Sequence, residues 1–251
     1  MGNRKVRWAK LGRQYYPNHL KFSLCCYPKL CFIVLPRRYQ RIRQTLDRRQ
    51  PDLTVITEDV HKPHNLSAII RTCDAVGVAA VHAMNKVVDG EDLPTFTQVA
   101  QGSEKWVDLY RHDTVEGAIA QLQTQGFKVY AAHLSDRAVD YRAVDYTQPT
   151  AVLMGAERWG VGSETADLVD GHVIIPMLGM VQSLNVSVAA AVILFEAQRQ
   201  RLQAGFYDQP RLDPDIYRQK VFEWGYPDLV EHYRDRQLPY PDLDDQGQII
   251  K

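Results

Sequence analysis

Two polar residues on one amphipathic helix are the first positions in this chain whose types and spacing suggest chemistry. Residues 65–76 carry apolar side chains at the helical period, with Asn65 at the start and Arg71 on the polar face. A guanidinium stays protonated at neutral pH and binds phosphate through paired hydrogen bonds, so Arg71 suits a phosphate or another anionic ligand. The structural alternatives are a surface Arg71–Asp74 ion pair and a simple helix cap at Asn65.

Two further segments place polar residues next to elements that would be buried. Glu157 follows Gly155 at the end of an apolar segment, where ligands bind in open α/β sheets. Its alternative is a solvated loop carboxylate. Ser183 and Asn185 end a polar turn that leads into a helix with almost no polar face. Such a helix is expected to be buried on all sides, with the turn held inside the protein.

The elements that would position these residues alternate between strands and helices. This alternation predicts an α/β fold with a mostly parallel sheet and helices on both faces. No GxGxxG follows the first strand, which disfavours a dinucleotide-binding oxidoreductase. The predicted strands are 52–57, 80–84, 106–110, 127–133, 151–154 and 172–175, and the predicted helices are 38–49, 65–76, 114–125, 163–169 (capped by Ser163) and one that follows Asn185.

The composition is typical of a globular protein and excludes a membrane-spanning helix, and the charge distribution indicates the kind of partner. The chain has 251 residues, 45% of them hydrophobic, which is enough for one large domain, and no apolar run spans a bilayer. Residues 1–50 hold 13 Lys/Arg and one acidic residue, which suggests a polyanionic partner. Cys25, Cys26 and Cys31 lack a zinc-ligand spacing, so we expect no metal, and nothing requires disulfides, so we expect a cytoplasmic protein.

Three motifs in order carry a family resemblance. HKPHNLSAIIRTCDAVG (61–77), LMGAERWGVG (153–162) and PMLGMVQSLNVSVAAAVILFEAQ (176–198) resemble the signature motifs of the SpoU (TrmH-like) family of RNA ribose 2′-O-methyltransferases. The likeness is greatest to the subfamily that methylates guanosine 18 in the D-loop of tRNA. It covers about residues 37–207, with weaker similarity to about residue 249. It implies S-adenosylmethionine as cofactor, a homodimer whose partner contributes to each active site, and a deep C-terminal trefoil knot (SPOUT type) within about 151–198.

The resemblance also assigns roles to residues. The implied catalytic set is Arg71, Asn65, Glu157, Ser183 and Asn185. The implied cofactor-binding set, acting largely through backbone groups, is Ala132, Leu134, Gly155, Ile175, Met177 and Leu184. Position 132 departs from close relatives, which often have threonine there; a main-chain contact would survive that change. RNA binding is expected from the basic helix at 37–49 and from the start of the first motif, through Arg38, Arg41, Arg48, Lys62 and His64.

The domain organisation predicted from these features has three parts. Residues 1–36 are expected to be a basic extension, disordered or a mis-called start; residues 37–207 form the knotted α/β domain; and residues 208–251 form a helical tail. Trp224, Tyr226 and Tyr240 of the tail are expected to pack on the body rather than to stack on bases. The alternatives in function are methylation of ribosomal RNA or of another tRNA nucleotide, and a non-catalytic knotted RNA-binding protein.

Overall fold

A computed structural model describes residues 34–60, 62–84, 105–156 and 160–250. The described strands and helices follow the predicted alternation, with one short strand and a 3₁₀ turn, Tyr141–Ala143, that the sequence pattern did not indicate. The strands are β1 (Gln50–Glu58), β2 (Val78–Met84), β3 (Asp108–His112), β4 (Lys128–Ala132), β5 (Ala138–Asp140), β6 (Thr150–Met154) and β7 (Gly171–Ile174). The helices are α1 (Pro36–Leu46), α2 (Pro63–Val76), α3 (Val115–Thr124), α4 (Ser163–Leu168), α5 (Val186–Gln203), α6 (Pro214–Gly225) and α7 (Pro227–Asp235).

The strands form a seven-stranded sheet in the order β3-β2-β1-β6-β4-β7-β5, and its strand pairs are all parallel in the described residues. This confirms the predicted α/β class. Parallel strands covered on both faces read as continuous apolar runs, and β1 accordingly buries residues 53–58 without a break. Neighbouring residues Val55 and Ile56 point into two different clusters, one against α2 and α5 and the other against α3 and α4. The sheet is therefore covered by helices on both faces.

The C-terminal segment packs on the first helix. Val221, Phe222, Trp224 and Tyr226 join Ile42 and other α1 residues in a third apolar cluster. Trp224 is 8% exposed and Tyr226 is 3% exposed. The ring of Tyr240 stacks on Phe222 at 4.5 Å between centroids. These contacts confirm the prediction of packing on the body for Trp224 and Tyr226, whereas Tyr240 stacks within the tail.

Local boundaries depart from the sequence pattern at two of these helices. Helix α1 ends at Leu46 rather than at 49. Helix α4 has Gly162 at its N-cap, so Ser163 is the first helical residue and not the cap.

The end of helix α2 agrees with the sequence pattern. The helix ends at Val76 with Gly77 as its C-cap; Gly77 has φ +86°, and a Cβ there would lie 2.6 Å from the carbonyl oxygen of Arg48. Glycine is thus required at 77 both by the left-handed backbone and by the adjacent chain.

Across the described ranges, no helix combines the length and apolar character needed to cross a membrane.

Candidate active site

The predicted functional segments lie at one edge of the sheet. Strands β6, β4 and β7 are neighbours, and all three are parallel, so their carboxyl ends meet. Ala132 ends β4, Gly155 follows β6, and Ile175 follows β7. These three residues of the predicted cofactor set therefore come together at the edge where open α/β sheets bind ligands.

Gly155 lies in a tight approach between backbone segments. Ala156 and Gly160 exchange two backbone hydrogen bonds of 2.9 and 2.8 Å. A Cβ on Gly155 would lie 2.2 Å from the carbonyl carbon of Gly160, which no side chain can tolerate. The predicted role of Gly155, to let backbone groups come close, agrees with this geometry. Glu157 lies outside the described residues.

The other predicted cofactor residues differ in exposure. Ala132, Ile175, Met177 and Leu184 are half-buried, whereas the Leu134 residue is 75% exposed. The backbone N–H of His133 donates to the carbonyl of Val173 at 3.2 Å, which extends the β4–β7 pairing beyond Ala132. A cavity of about 410 Å³ at the ends of β1 and β2 contains none of these cofactor positions. In the single chain the predicted cofactor segments form an open edge.

Asn65 and Asn185 join two of the motifs directly. Asn185 Nδ2 donates to Asn65 Oδ1 at 3.2 Å, across 120 residues of sequence. The Asn185 side chain is also the N-cap of α5, because its Oδ1 accepts from the backbone N–H of Ser187 at 2.9 Å. One amide thus caps the helix with its oxygen and orients Asn65 with its nitrogen.

Asn65 is not the cap of its own helix. Helix α2 starts at Pro63 with Lys62 at the N-cap position, and Asn65 is the third helical residue, 2% exposed. Proline has no N–H and a fixed φ, so it starts the helix two residues earlier than the apolar period indicated. The capping alternative for Asn65 is wrong.

Arg71 is exposed on α2 and has no hydrogen bond or ion pair in the described part of the chain. The expected alternative partner, Asp74, accepts instead from Arg49 Nη2 at 2.5 Å. The ion-pair alternative is therefore wrong, because Asp74 already neutralises a buried cation. The guanidinium of Arg71 stays available for a ligand.

The third motif is more open than its apolar composition predicted. The turn before α5 is exposed: Leu178 and Met180 are fully exposed, and Ser183 lies at the surface. Helix α5 buries one face against α2 and the sheet, but Phe195 is 50% exposed. The prediction of burial on all sides is wrong for the single chain, since one apolar face of α5 is not covered by any of the residues that the structure describes.

The basic residues of α1 divide into two kinds. Arg41 and Arg48 are exposed, and Arg38 is exposed while donating to the carbonyl of Trp224 at 3.1 Å. Arg49 is 2% exposed and bonds to Asp74 and to the carbonyl oxygens of Val78 and Trp106. Arg49 therefore holds α1, α2 and the sheet together, and it does not belong with the expected RNA-binding arginines. Lys62 and His64 are exposed at the start of α2.

A polar cluster next to the cofactor edge was missed from the sequence. Ser135 and Arg137 each contact the imidazole of His172 on β7. No pattern distinguished His172 from a core residue of a strand, because the partners of its side chain come from the loop between β4 and β5 and from α4.

Comparison of the sequence with protein-family models and with known proteins identifies the family. Residues 52–195 match the model of the SpoU rRNA Methylase family, and residues 199–251 match the model described as SpoU, rRNA methylase, C-terminal. The chain belongs to the SpoU rRNA methylase family. A curated SpoU relative from Thermus thermophilus, a tRNA (guanosine(18)-2′-O)-methyltransferase, is 60% identical over 187 residues, covering 74% of this chain and 95% of the relative.

Two solved SpoU structures are similar as well. The TrmH/SpoU tRNA modifying enzyme of A. aeolicus is 40% identical with a TM-score of 0.71, over 79% of this chain and all of that one. The AdoMet-bound rRNA methyltransferase of Sinorhizobium meliloti is 32% identical with a TM-score of 0.53, over 62% of this chain and 59% of that one.

Proposed function

We propose that this SpoU protein transfers a methyl group from S-adenosylmethionine to the ribose 2′-hydroxyl of guanosine 18 in the D-loop of tRNA. The observation that carries the proposal is the 60% identity to a relative named for that reaction, over 95% of the relative's length. The site supports it with an exposed cation, Arg71, which has no ion-pair partner among the described residues and lies on the helix whose Asn65 is bonded to Asn185.

The residues at the sheet edge fit the cofactor. Backbone N–H and C=O groups beyond the ends of β4, β6 and β7 are suited to an adenosine, and Gly155 lets two backbone segments approach closely. Ala132, Gly155 and Ile175 would hold it there, with Leu134, Met177 and Leu184 completing the contacts. When bound, the sulfonium supplies an electrophilic methyl group, so the protein's task is to orient and deprotonate the hydroxyl.

In this mechanism Arg71 binds the RNA phosphate beside the target ribose and stabilises the alkoxide as the proton leaves. A guanidinium is a poor base, so a phosphate oxygen takes the proton. The Asn65–Asn185 hydrogen bond fixes the side chain of Asn65 within α2, and we assign Ser183 and Glu157 to orienting the substrate and Arg71. The exposed residues Arg38, Arg41, Arg48, Lys62 and His64 contact the tRNA backbone.

The exposed apolar face of α5 supports a homodimer. Val188, Phe195 and Leu202 are 47%, 50% and 55% exposed and recur every seven residues, which places them on one stripe of the helix. Leu178 and Met180 of the preceding turn are fully exposed nearby in sequence. A second copy would cover this stripe and enclose the open site, as an isologous interface does.

The remaining assignments follow from this function. Residues 37–207 would be the knotted catalytic domain, with the knot within about 151–198, and residues 208–251 would be the tail. A tRNA substrate places the protein in the cytoplasm.

Transfer of labelled methyl from S-adenosylmethionine to an unmodified tRNA transcript tests the proposal. We expect label on the parent transcript, none on a transcript with guanosine 18 replaced, and a loss of at least about 100-fold in kcat for Arg71→Ala. The matched control is Arg142→Ala, an exposed arginine paired with Asp140 and outside the predicted site residues, which should retain activity. Label that persists on the replaced transcript, or that appears only on ribosomal RNA, would reject guanosine 18 as the target.

A further inference from the structure

The segment between β4 and β5 is tied to β7 by side chains that converge on one imidazole. Ser135 Oγ lies 2.6 Å from His172 Nδ1. Arg137 Nη2 lies 3.0 Å from His172 Nε2 and donates to the carbonyl oxygen of Ala166 at 2.6 Å. His172 is 3% exposed, so its two ring nitrogens depend on these partners for hydrogen bonds.

Two placements of the ring proton satisfy the partners of His172. With the proton on Nε2, this nitrogen donates to the carbonyl oxygen of Ala166 at 2.8 Å, and Nδ1 accepts from the hydroxyl of Ser135. With the proton on Nδ1, this nitrogen donates to Ser135 Oγ, and Nε2 accepts from Arg137, which can only donate. In either placement Arg137 is also held by the carbonyl of Ala166. Ser135 is thus the side chain that ties the loop directly to the β7 imidazole.

The bonded loop carries cofactor positions. Its first residue, His133, packs edge-on against the ring of His172 at 5.1 Å between centroids. Burial lowers the pKa of His133 below its ordinary value, and the neighbouring His172 and Arg137 lower it further. Leu134, between His133 and Ser135, is 75% exposed and has little packing of its own. Without an anchor this short segment would have to be ordered when the cofactor binds, which reduces affinity.

We propose that Ser135 and His172 are positioning residues for S-adenosylmethionine: their hydrogen bond holds the 132–134 segment against β7, whose next residues are Ile175 and Met177. The inference rests on the cofactor site of the proposed function. His172 faces β4 on one side and β5 on the other through the pairs Ala131–His172 and Ala138–His172. The imidazole therefore adds a side-chain link between the β4–β5 loop and β7, the two segments assigned to the cofactor.

Calorimetric titration of the RNA-free protein with S-adenosylmethionine tests the proposal. Ser135→Ala should raise the Kd about threefold to tenfold, as expected for the loss of one hydrogen bond. His172→Ala should weaken binding at least as much. His172→Asn should restore part of the affinity, because an asparagine amide offers Ser135 both an acceptor and a donor in place of Nδ1. In turnover assays the KM for the cofactor should rise, while kcat at saturating cofactor and the KM for tRNA stay unchanged.

The control is Thr124→Ala, which removes a hydroxyl bonded to the carbonyl of Gln121 in an exposed helix end. It should leave the Kd unchanged. An unaltered Kd in Ser135→Ala, or no recovery in His172→Asn relative to His172→Ala, would overturn the positioning role. If the parent protein methylates no tRNA while the Kd differences persist, the proposed function fails and this inference stands.

Discussion

Asp52→Asn is the substitution whose effect on stability the structure specifies most closely. Arg201 is fully buried, and its Nη1 donates to Asp52 Oδ1 at 2.5 Å. Arg211 donates to both carboxylate oxygens of Asp52 at 2.9 Å. These bonds connect the start of β1 with the end of α5 and the segment before α6. Asparagine has nearly the same volume, so the change removes the charge and leaves the packing intact.

The size of the effect follows from what Arg201 keeps and loses. Removing one partner of a buried ion pair costs about 3–5 kcal/mol because the other charge stays buried. Here the Asp52 side chain is 19% exposed, and Arg201 retains bonds to the carbonyl oxygens of Tyr146, Asp52 and Gln148. Solvent screening and the retained bonds reduce the expected loss in the free energy of unfolding to about 2–3 kcal/mol at pH 7.

The effect should depend on pH with a defined sign. Burial alone would raise the pKa of Asp52, but the hydrogen bonds and charges of Arg201 and Arg211 outweigh it and hold this pKa below its ordinary value. A depressed carboxyl pKa stabilises the fold above the ordinary value near 4 and loses this contribution as the pH falls through the lower folded value. The difference between parent and Asp52→Asn should therefore be full at pH 7 and shrink below about pH 4.

Urea unfolding at fixed protein concentration, at pH 7 and at successive steps towards pH 3.5, measures this difference. Asp140→Asn makes the same chemical change at an exposed pair with Arg142 and should have little effect on stability. A loss at Asp52 no larger than at Asp140, or a loss that is independent of pH, would refute the reasoning.

Three further substitutions test other parts of the structure. Gly77→Ala should lower the free energy of unfolding by more than about 1 kcal/mol, because φ at 77 is positive and the added Cβ would clash with the carbonyl oxygen of Arg48. An unchanged urea midpoint would contradict this. Asn185→Ala should lower the free energy of unfolding by about 1 kcal/mol, because it removes the N-cap of α5. Asn185→Asp should keep that stability but lose methyl transfer, because a carboxylate cannot donate to Asn65. Equal methyl-transfer activity in the parent and in Asn185→Asp would argue against the Asn65 contact. Phe195→Asp should turn a dimer into monomers in sedimentation velocity, and a persisting dimer would place the interface elsewhere.

Much of the fold could be predicted because its signals are local. Helical spacing in residues 65–76, short apolar runs for the strands, and Gly77 after the last periodic residue each depend on neighbours in sequence. Strand β1 is buried along most of its length because helices cover both faces of the sheet. Its apolar run therefore indicates both a strand and burial on two sides. The alternation of these elements was enough to predict a parallel sheet, and the three motifs in order indicated the family.

The candidate site was predictable only in part. Its residues were proposed from their motifs, but their hydrogen-bond partners could not be predicted. Asn185 meets Asn65 across 120 residues, and the expected pairing of Arg71 with Asp74 gave way to a buried contact between Asp74 and Arg49. The choice of a partner depends on which elements pack together, and short spacing along one helix does not contain that information.

Adjacent residues of the same type show the limit most clearly. Arg48 and Arg49 are equivalent in the sequence, yet Arg48 is exposed and Arg49 is 2% exposed in a polar network. The chain alone determined that α1 is basic, that the sheet is parallel and where the motifs lie. Only the tertiary structure decided which arginine is structural and that His172 bonds to Ser135, because burial and hydrogen bonding depend on elements brought together from distant parts of the chain.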